Sequence, residues 1–223
     1  MKNLLITMSG GTTSVINATL AGLIDTAQKS KKINKIYAGL PGILGFMDEK
    51  FIDLTNTSEQ ELFVLKNSPG SASIGTTRIK ILDKNEYEKM SDIFIKYNIG
   101  YFVNIGGNGT IKQTKSIGAA INTIQVAAAP KTVDNDLGDK QFSELWHTPG
   151  FSSCVNYWRH KMQMLNNENV GAHSHDKVLI AQTFGRETGH IVGSLRYFDP
   201  ERKTPLILLI PEDQQNSDKV LDK

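Results

Sequence analysis

The sequence contains a single cysteine, Cys154, which excludes an internal disulfide and fits a chain that folds in a reducing compartment. Runs of like charge are also missing. The densest basic cluster, Lys29, Lys31 and Lys32 around Ser30, reads as a solvated helix end. With a formal net charge of +2, no nucleic acid and no membrane surface is expected as a partner. Long apolar runs are absent too. The opening MKNLLITMSGG is too short in apolar residues for the h-region of a signal peptide, and no segment approaches a membrane span. Low-complexity tracts and short repeats are lacking. These absences set the expectation of a cytoplasmic globular protein. Its 223 residues, 39% hydrophobic and 22% charged, can bury a core as one large domain or two small ones.

What the sequence does have is glycine breaks at the ends of apolar runs. VNIGGNGTIKQTK, residues 103–115, starts apolar, breaks at Gly106-Gly107-Asn108-Gly109, and resumes with the helical spacing of Thr110, Ile111, Ile117, Ala119 and Ala120. Asn-Gly marks a hairpin when alternation follows it, but helical spacing follows here, so the reading is strand, loop, helix. A loop of this kind presents bare N–H groups at a helix N-terminus, a place suited to phosphate. SGGTTSVINA, residues 9–18, repeats the pattern, although a double glycine also occurs in plain turns.

Apolar runs at 4–8, 35–40, 101–105, 123–128, 177–183 and 205–210 predict strands. Periodic segments after residue 13, at 55–65, 86–97, after residue 109 and at 187–197 predict helices. Phe151, Val155, Trp158, Met162 and Leu165 form a helical stripe expected to pack in a core. Strands alternating with helices imply βαβ units and a mostly parallel sheet covered on both faces, with ligands at the carboxyl ends of the strands. A crossing to a second lobe is expected near residues 138–145, giving lobes 1–145 and 146–223.

A third loop, PKTVDND at 130–136, holds Lys131, Thr132, Asp134 and Asp136. If the segment is extended, Asp134 and Asp136 face the same way, because side chains alternate with period two. Paired carboxylates beside a lysine suit a base with a metal or phosphate clamp. An Asx-rich turn carrying a surface salt bridge has the same composition. Arg186, after the 177–183 run, is placed for a phosphate fork. His173 and His175 could offer two metal ligands on a strand but have no third nearby, and His147, His160 and His190 read as polar packing residues.

Together and in this order, SGGTTSVINA, PGSASIGTTR, GGNGT, PKTVDND, HTPGFSS, FGRETGH and IPE resemble the phosphofructokinase family over almost the whole chain. The resemblance implies a two-lobed α/β fold of mostly parallel, doubly wound sheets, with the second lobe incomplete because the family continues well past IPE. It implies a phosphotransferase of glycolysis that moves a phosphoryl group from pyrophosphate or ATP to the 1-hydroxyl of fructose 6-phosphate, with Mg2+, as a homo-oligomer. Carried over by motif, Asp134 is the base, with Thr132 and Asp136 flanking the reacting phosphoryl and Lys131 beside them. Gly11, Arg78, Gly107, Asn108, Gly109 and Thr110 hold the donor phosphates. Thr132, Asp134, Lys177, Phe184, Gly185, Arg186 and Glu212 serve the sugar phosphate, Glu212 through its hydroxyls.

The chain departs from the family pattern at specific residues. Asn108 stands where the family has a magnesium-ligating aspartate, so metal affinity is expected to fall. Lys177 replaces an arginine and cannot form its bidentate fork. Phe184 replaces a methionine. For the donor, Lys131 resembles the pyrophosphate-dependent members, whereas Gly109 leaves room for ATP. The alternative to an active kinase is a weak or silent homologue, or a regulatory subunit, that binds phosphate ligands without turnover. A lipid or dinucleotide kinase sharing only the glycine loop would leave Asp134 without a role.

Overall fold

The computed structural model describes residues 1–80, 83–138, 145–185 and 187–212. Contacts divide the chain into two compact units, Met1–Thr132 and Val133–Lys223. The division falls inside PKTVDND, upstream of the 145 expected from sequence. Asn135 is hydrogen bonded to the segment at 146–148 and Asp134 to Thr188, and these bonds draw the end of the loop into the second unit.

The first unit runs β1 (Lys2–Met8), α1 (Ser14–Lys29), β2 (Ile33–Gly39), α2 (Gly42–Met47), β3 (Phe51–Asp53), α3 (Glu59–Lys66), α4 (Lys84–Lys96), β4 (Ile99–Gly106), α5 (Asn108–Ala120) and β5 (Gln125–Pro130). Its sheet has the order β3-β2-β1-β4-β5. All neighbours are parallel except β3, which pairs antiparallel on the edge. β1 is the central strand, buried over all but its first residue, which is why LLITM reads as a continuous apolar run rather than an alternating one.

Successive side chains of β1 supply opposite faces of the sheet. Leu5 joins Phe102, Phe46, Met90, Phe94 and Ile117 on one face, where the Phe46 and Phe94 rings stack at 4.9 Å. Leu4, Ile6 and Met8 join Ile16, Leu20, Ile24 and Ile105 on the other. The sheet is therefore doubly wound, with an apolar core on each side. α3 and α4 begin with complete capping boxes, Ser58 with Glu61 and Asp83 with Glu86, which satisfy their first N–H groups locally. α2 and β3 went unread in sequence because segments of six and three residues are shorter than the period that would reveal them.

The second unit contains α6 (Phe151–Gly171), α7 (His190–Ser194) and a 3-10 turn, Leu195–Phe198. The expected stripe on α6 faces inward, but only Met162 is fully buried, so the stripe is a half-covered face. The runs at 177–183 and 205–210 do not form strands. Ile180, at 92%, and Ile207, at 59%, are exposed, while Leu206, Leu208 and Ile210 are half-buried, and among the described residues no strand pairs with either run. An apolar run becomes a strand only when another strand takes its N–H and C=O groups. Of the histidines read as packing, His147 and His160 are exposed.

Candidate active site

The sheet order reverses direction at β1, which has β2 on one side and β4 on the other, so the carboxyl ends of β1 and β4 form the topological switch point. Both glycine loops start there. Below them Thr7 and Asn104, register partners, share a buried hydrogen bond of 3.0 Å. Above them Ser9 N–H donates to Ile105 O at 2.9 Å, and Lys131 N–H donates to Gly106 O at 2.8 Å. All three loop starts are thus tied side by side at one edge of the sheet.

The helices that follow the two glycine loops differ from α3 and α4. Thr13 before α1 and Gly107 before α5 make no side-chain cap. At such a helix start the dipole favours an anion. Within the second loop, Gly106 is enforced by packing, since a Cβ there would lie 2.2 Å from Thr110 Oγ1. A Cβ on Gly109 would meet nothing within 4 Å, so the space beside that residue is open.

Arg78 reaches this edge through its own loop. Thr77 bridges to Ser9, its carbonyl accepting from Gly10 N–H at 3.1 Å and from Ser9 Oγ at 2.9 Å. The Arg78 guanidinium then lies 3.8 Å from where a Gly11 Cβ would stand. The rest of the loop is organised by Asn17, a buried amide on α1. Its Nδ2 donates to Ser68 Oγ and Ser71 Oγ, and its Oδ1 accepts from Ser73 N–H and Ser73 Oγ, which uses the full capacity of the amide. Lys131, also buried, donates from Nζ to Gly11 O at 2.8 Å. The first unit therefore gathers Gly11, Arg78, Gly107, Asn108, Gly109, Thr110, Lys131 and Thr132 at the strand ends.

Asp134, Asp136 and Glu212 belong to the second unit. Asn135 takes a left-handed conformation, φ +55°, so the segment is not extended and the period-two reading of Asp134 and Asp136 does not apply. Asn135 is itself buried and accepts from Thr148 N–H at 2.9 Å, which fixes the turn. The Asp134 carbonyl accepts from Thr188 Oγ1 at 2.6 Å, and Gly189 N–H donates to Glu212 Oε1 at 2.7 Å. That backbone bond holds the Glu212 carboxyl below its ordinary value. Burial, then the nearby Asp134 charge, pushes the Cys154 thiol up, so Cys154 is not poised as a nucleophile.

Lys177 donates to His173 O in the turn after α6, and Phe184 is 67% exposed. Arg186 lies outside the described residues. His173 and His175 bond backbone carbonyls through Nδ1, and among the described residues no three His, Cys, Asp or Glu side chains cluster as a metal site. Thr188, Asn17 and Asn135 were not singled out in sequence. For Asn135 a signal existed, because asparagine is among the few residues that tolerate the left-handed region.

Comparison with known proteins agrees with this arrangement. The phosphofructokinase family model matches residues 3–223. The chain belongs to the phosphofructokinase family. Among relatives in that family, a pyrophosphate–fructose 6-phosphate 1-phosphotransferase of Methylococcus capsulatus is 29% identical over 99% of this chain and 54% of its own length. An ATP-dependent 6-phosphofructokinase of Thermoanaerobacter sp. is 27% identical over 100% of this chain and 64% of its own. The crystal structure of a pyrophosphate-dependent phosphofructokinase from Nitrosospira multiformis superposes with a TM-score of 0.83 at 32% identity, covering 99% of this chain and 56% of that one. The chain spans about half the length of the pyrophosphate-dependent phosphofructokinases it matches. Among the described residues no helix is long and apolar enough to cross a membrane.

Proposed function

We propose that this chain carries the phosphoryl-transfer site of a phosphofructokinase, moving a phosphoryl group from pyrophosphate or ATP to the 1-hydroxyl of fructose 6-phosphate. The observation that carries the reading is the pair of uncapped helix N-termini at the switch point, with the buried Lys131 ammonium on the carbonyl of Gly11 between the loops. Such an edge offers backbone N–H groups and fixed cations to a diphosphate and offers little to a neutral ligand.

In the proposed reaction the N–H groups at the starts of α1 and α5, with Arg78 and Lys131, bind the donor phosphates and oppose the charge of the transferring group. Asp134 accepts the proton of the sugar 1-hydroxyl as its oxygen bonds to phosphorus. The bridging P–O bond of the donor breaks, releasing phosphate from pyrophosphate or ADP from ATP. Thr132 donates its hydroxyl to the phosphoryl in transit. Lys177, Phe184, Gly185, Arg186 and Glu212 bind the sugar phosphate.

Asp136 Oδ1 is a buried carboxylate oxygen with no hydrogen-bond partner among the described residues, and this fits Mg2+, which takes one or two carboxylates and completes its shell with phosphate oxygens. Asp136 and the Asn108 amide oxygen would hold it. Bound there, it supplies charge neutralisation to the donor phosphates. A homo-oligomer in the cytoplasm, acting in glycolysis, completes the reading.

The test is an assay for fructose 1,6-bisphosphate with pyrophosphate and with ATP, in magnesium buffer. Product with at least one donor is the expected result. Absence of product together with no calorimetric binding of either donor would overturn the proposal. Donor binding without product would instead mark the chain as a phosphate-binding homologue, the reading that Asn108 and Lys177 favour.

A further inference from the structure

Three motifs far apart in sequence are joined by two hydrogen bonds within the second unit. Thr188 Oγ1 donates to the main-chain oxygen of Asp134 across 54 residues, and Gly189 N–H donates to the Glu212 carboxylate across 23. The geometry points to Thr188 as a positioning residue for Asp134, with Glu212 acting as the anchor that sets Thr188. The inference rests on the reading of Asp134 as the base.

The peptide after Asp134 is held on both sides. Asn135 adopts its left-handed conformation with its side chain on Thr148 N–H, while Thr188 takes the Asp134 carbonyl. A left-handed residue next to the base makes the direction of the carboxylate depend on that peptide plane, because no strand ladder holds it. Thr188 is in turn confined. Gly185 has φ +100°, and a Cβ there would lie 2.5 Å from Thr188 O, so only glycine fits at that position beside Thr188. On the far side, a Cβ on Gly189 would lie 2.7 Å from Glu212 Oε2, so the carboxylate sits directly against the backbone. Glu212, carried over as a sugar-hydroxyl acceptor, thus already spends one oxygen on the loop that steadies the base.

A hydroxyl has one proton to donate, and Thr188 gives its proton to Asp134. Without it, the half-buried carbonyl loses this donor, and the peptide loses its support on the Thr188 side while keeping that of Asn135 with Thr148. A displacement of about 1 Å at a reacting group can cost up to roughly 100-fold in rate.

The experiment compares Thr188→Val, which keeps the shape and removes the donor, with Thr188→Ser, which keeps the donor. Each is made alone and on Asp134→Asn. The expected result is a kcat loss of roughly 10- to 100-fold for Thr188→Val with donor KM nearly unchanged, recovery in Thr188→Ser, and no further loss on Asp134→Asn. A second readout is independent of turnover: the carbon-13 signal of the Asp134 carboxyl, assigned by its loss in Asp134→Asn, should move in position in Thr188→Val and stay in Thr188→Ser. An inactive Asp134→Asn beside a fully active Thr188→Val, or an unmoved Asp134 carboxyl signal, would overturn the positioning role while leaving the base in place. Full activity in Asp134→Asn would overturn the base itself. Thr188→Ala serves in the same comparison if the valine variant does not fold.

Discussion

The Lys131 ammonium lies 2.8 Å from the carbonyl oxygen of Gly11, 120 residues away, and joins the PKTVDND loop to the first glycine loop. Lysine is almost never fully buried without a partner, so this contact explains its burial. Lys131→Met should lower stability by about 1–3 kcal/mol, since the Gly11 carbonyl loses a charged donor. It should also weaken pyrophosphate binding more than ATP binding, because the smaller donor relies more on each cation. Urea unfolding and calorimetry with both donors check this, and equal losses would separate the lysine from donor choice.

Gly106 and Gly109 sit in one loop and should respond oppositely. Gly106→Ala places a methyl against Thr110 Oγ1 and should cost about 1–3 kcal/mol. Gly109→Asp enters open space, should leave the melting temperature nearly unchanged, and should disfavour ATP relative to pyrophosphate by filling the nucleotide's room. Thermal melts and donor competition give the answer. A clear drop in melting temperature for Gly109→Asp would contradict the open space.

Asn108 is the first residue of α5. Asn108→Asp adds a carboxylate at a helix N-terminus, worth about 0.3–1 kcal/mol to the helix, and gives Mg2+ a charged ligand. Half-maximal donor binding should then need less magnesium. An unchanged magnesium requirement would leave Asp136 and the donor phosphates as the only ligands.

Asn17 spends its whole amide on residues 68–73. Asn17→Leu should destabilise by about 1–3 kcal/mol and also weaken donor binding, because the loop it organises ends in Arg78. A loss of stability without a loss of donor affinity would show that Thr77 alone holds Arg78 in place.

The bond from Gly189 lowers the Glu212 pKa, so the folded chain favours the ionised form. The sign follows from linkage. This contribution is fully present above the ordinary glutamate pKa and is lost as pH falls through the lowered folded value. The Gly189 amide signal should follow that titration, and Glu212→Gln should abolish it. A Gly189 signal that stays flat to acid pH would show that the bond does not form in solution.

Much of the first unit was legible because its signals are local. The run LLITM, the stripe of α1, and the glycines at 10, 11, 106 and 107 announce strand, helix and turn from neighbouring residues alone. The order of the seven motifs then identified the family, which the match over residues 3–223 confirms. The runs at 177–183 and 205–210 misled for the opposite reason, since a strand is defined by a neighbour that its own residues do not encode.

By itself, the sequence determined which loops carry glycine, lysine and carboxylate, and that strands alternate with helices across the first unit. Only the tertiary structure decided that β1 lies between β2 and β4, which brings two uncapped helix starts to one edge. It alone showed that Lys131 spans to Gly11, that Asn17 governs the loop of Arg78, and that Thr188 holds Asp134. Periodicity reports what a residue does among its neighbours within a few positions. A hydrogen bond closing 54 or 120 residues depends on where the packed sheet and its loops place two backbones, and that information is spread over the whole core.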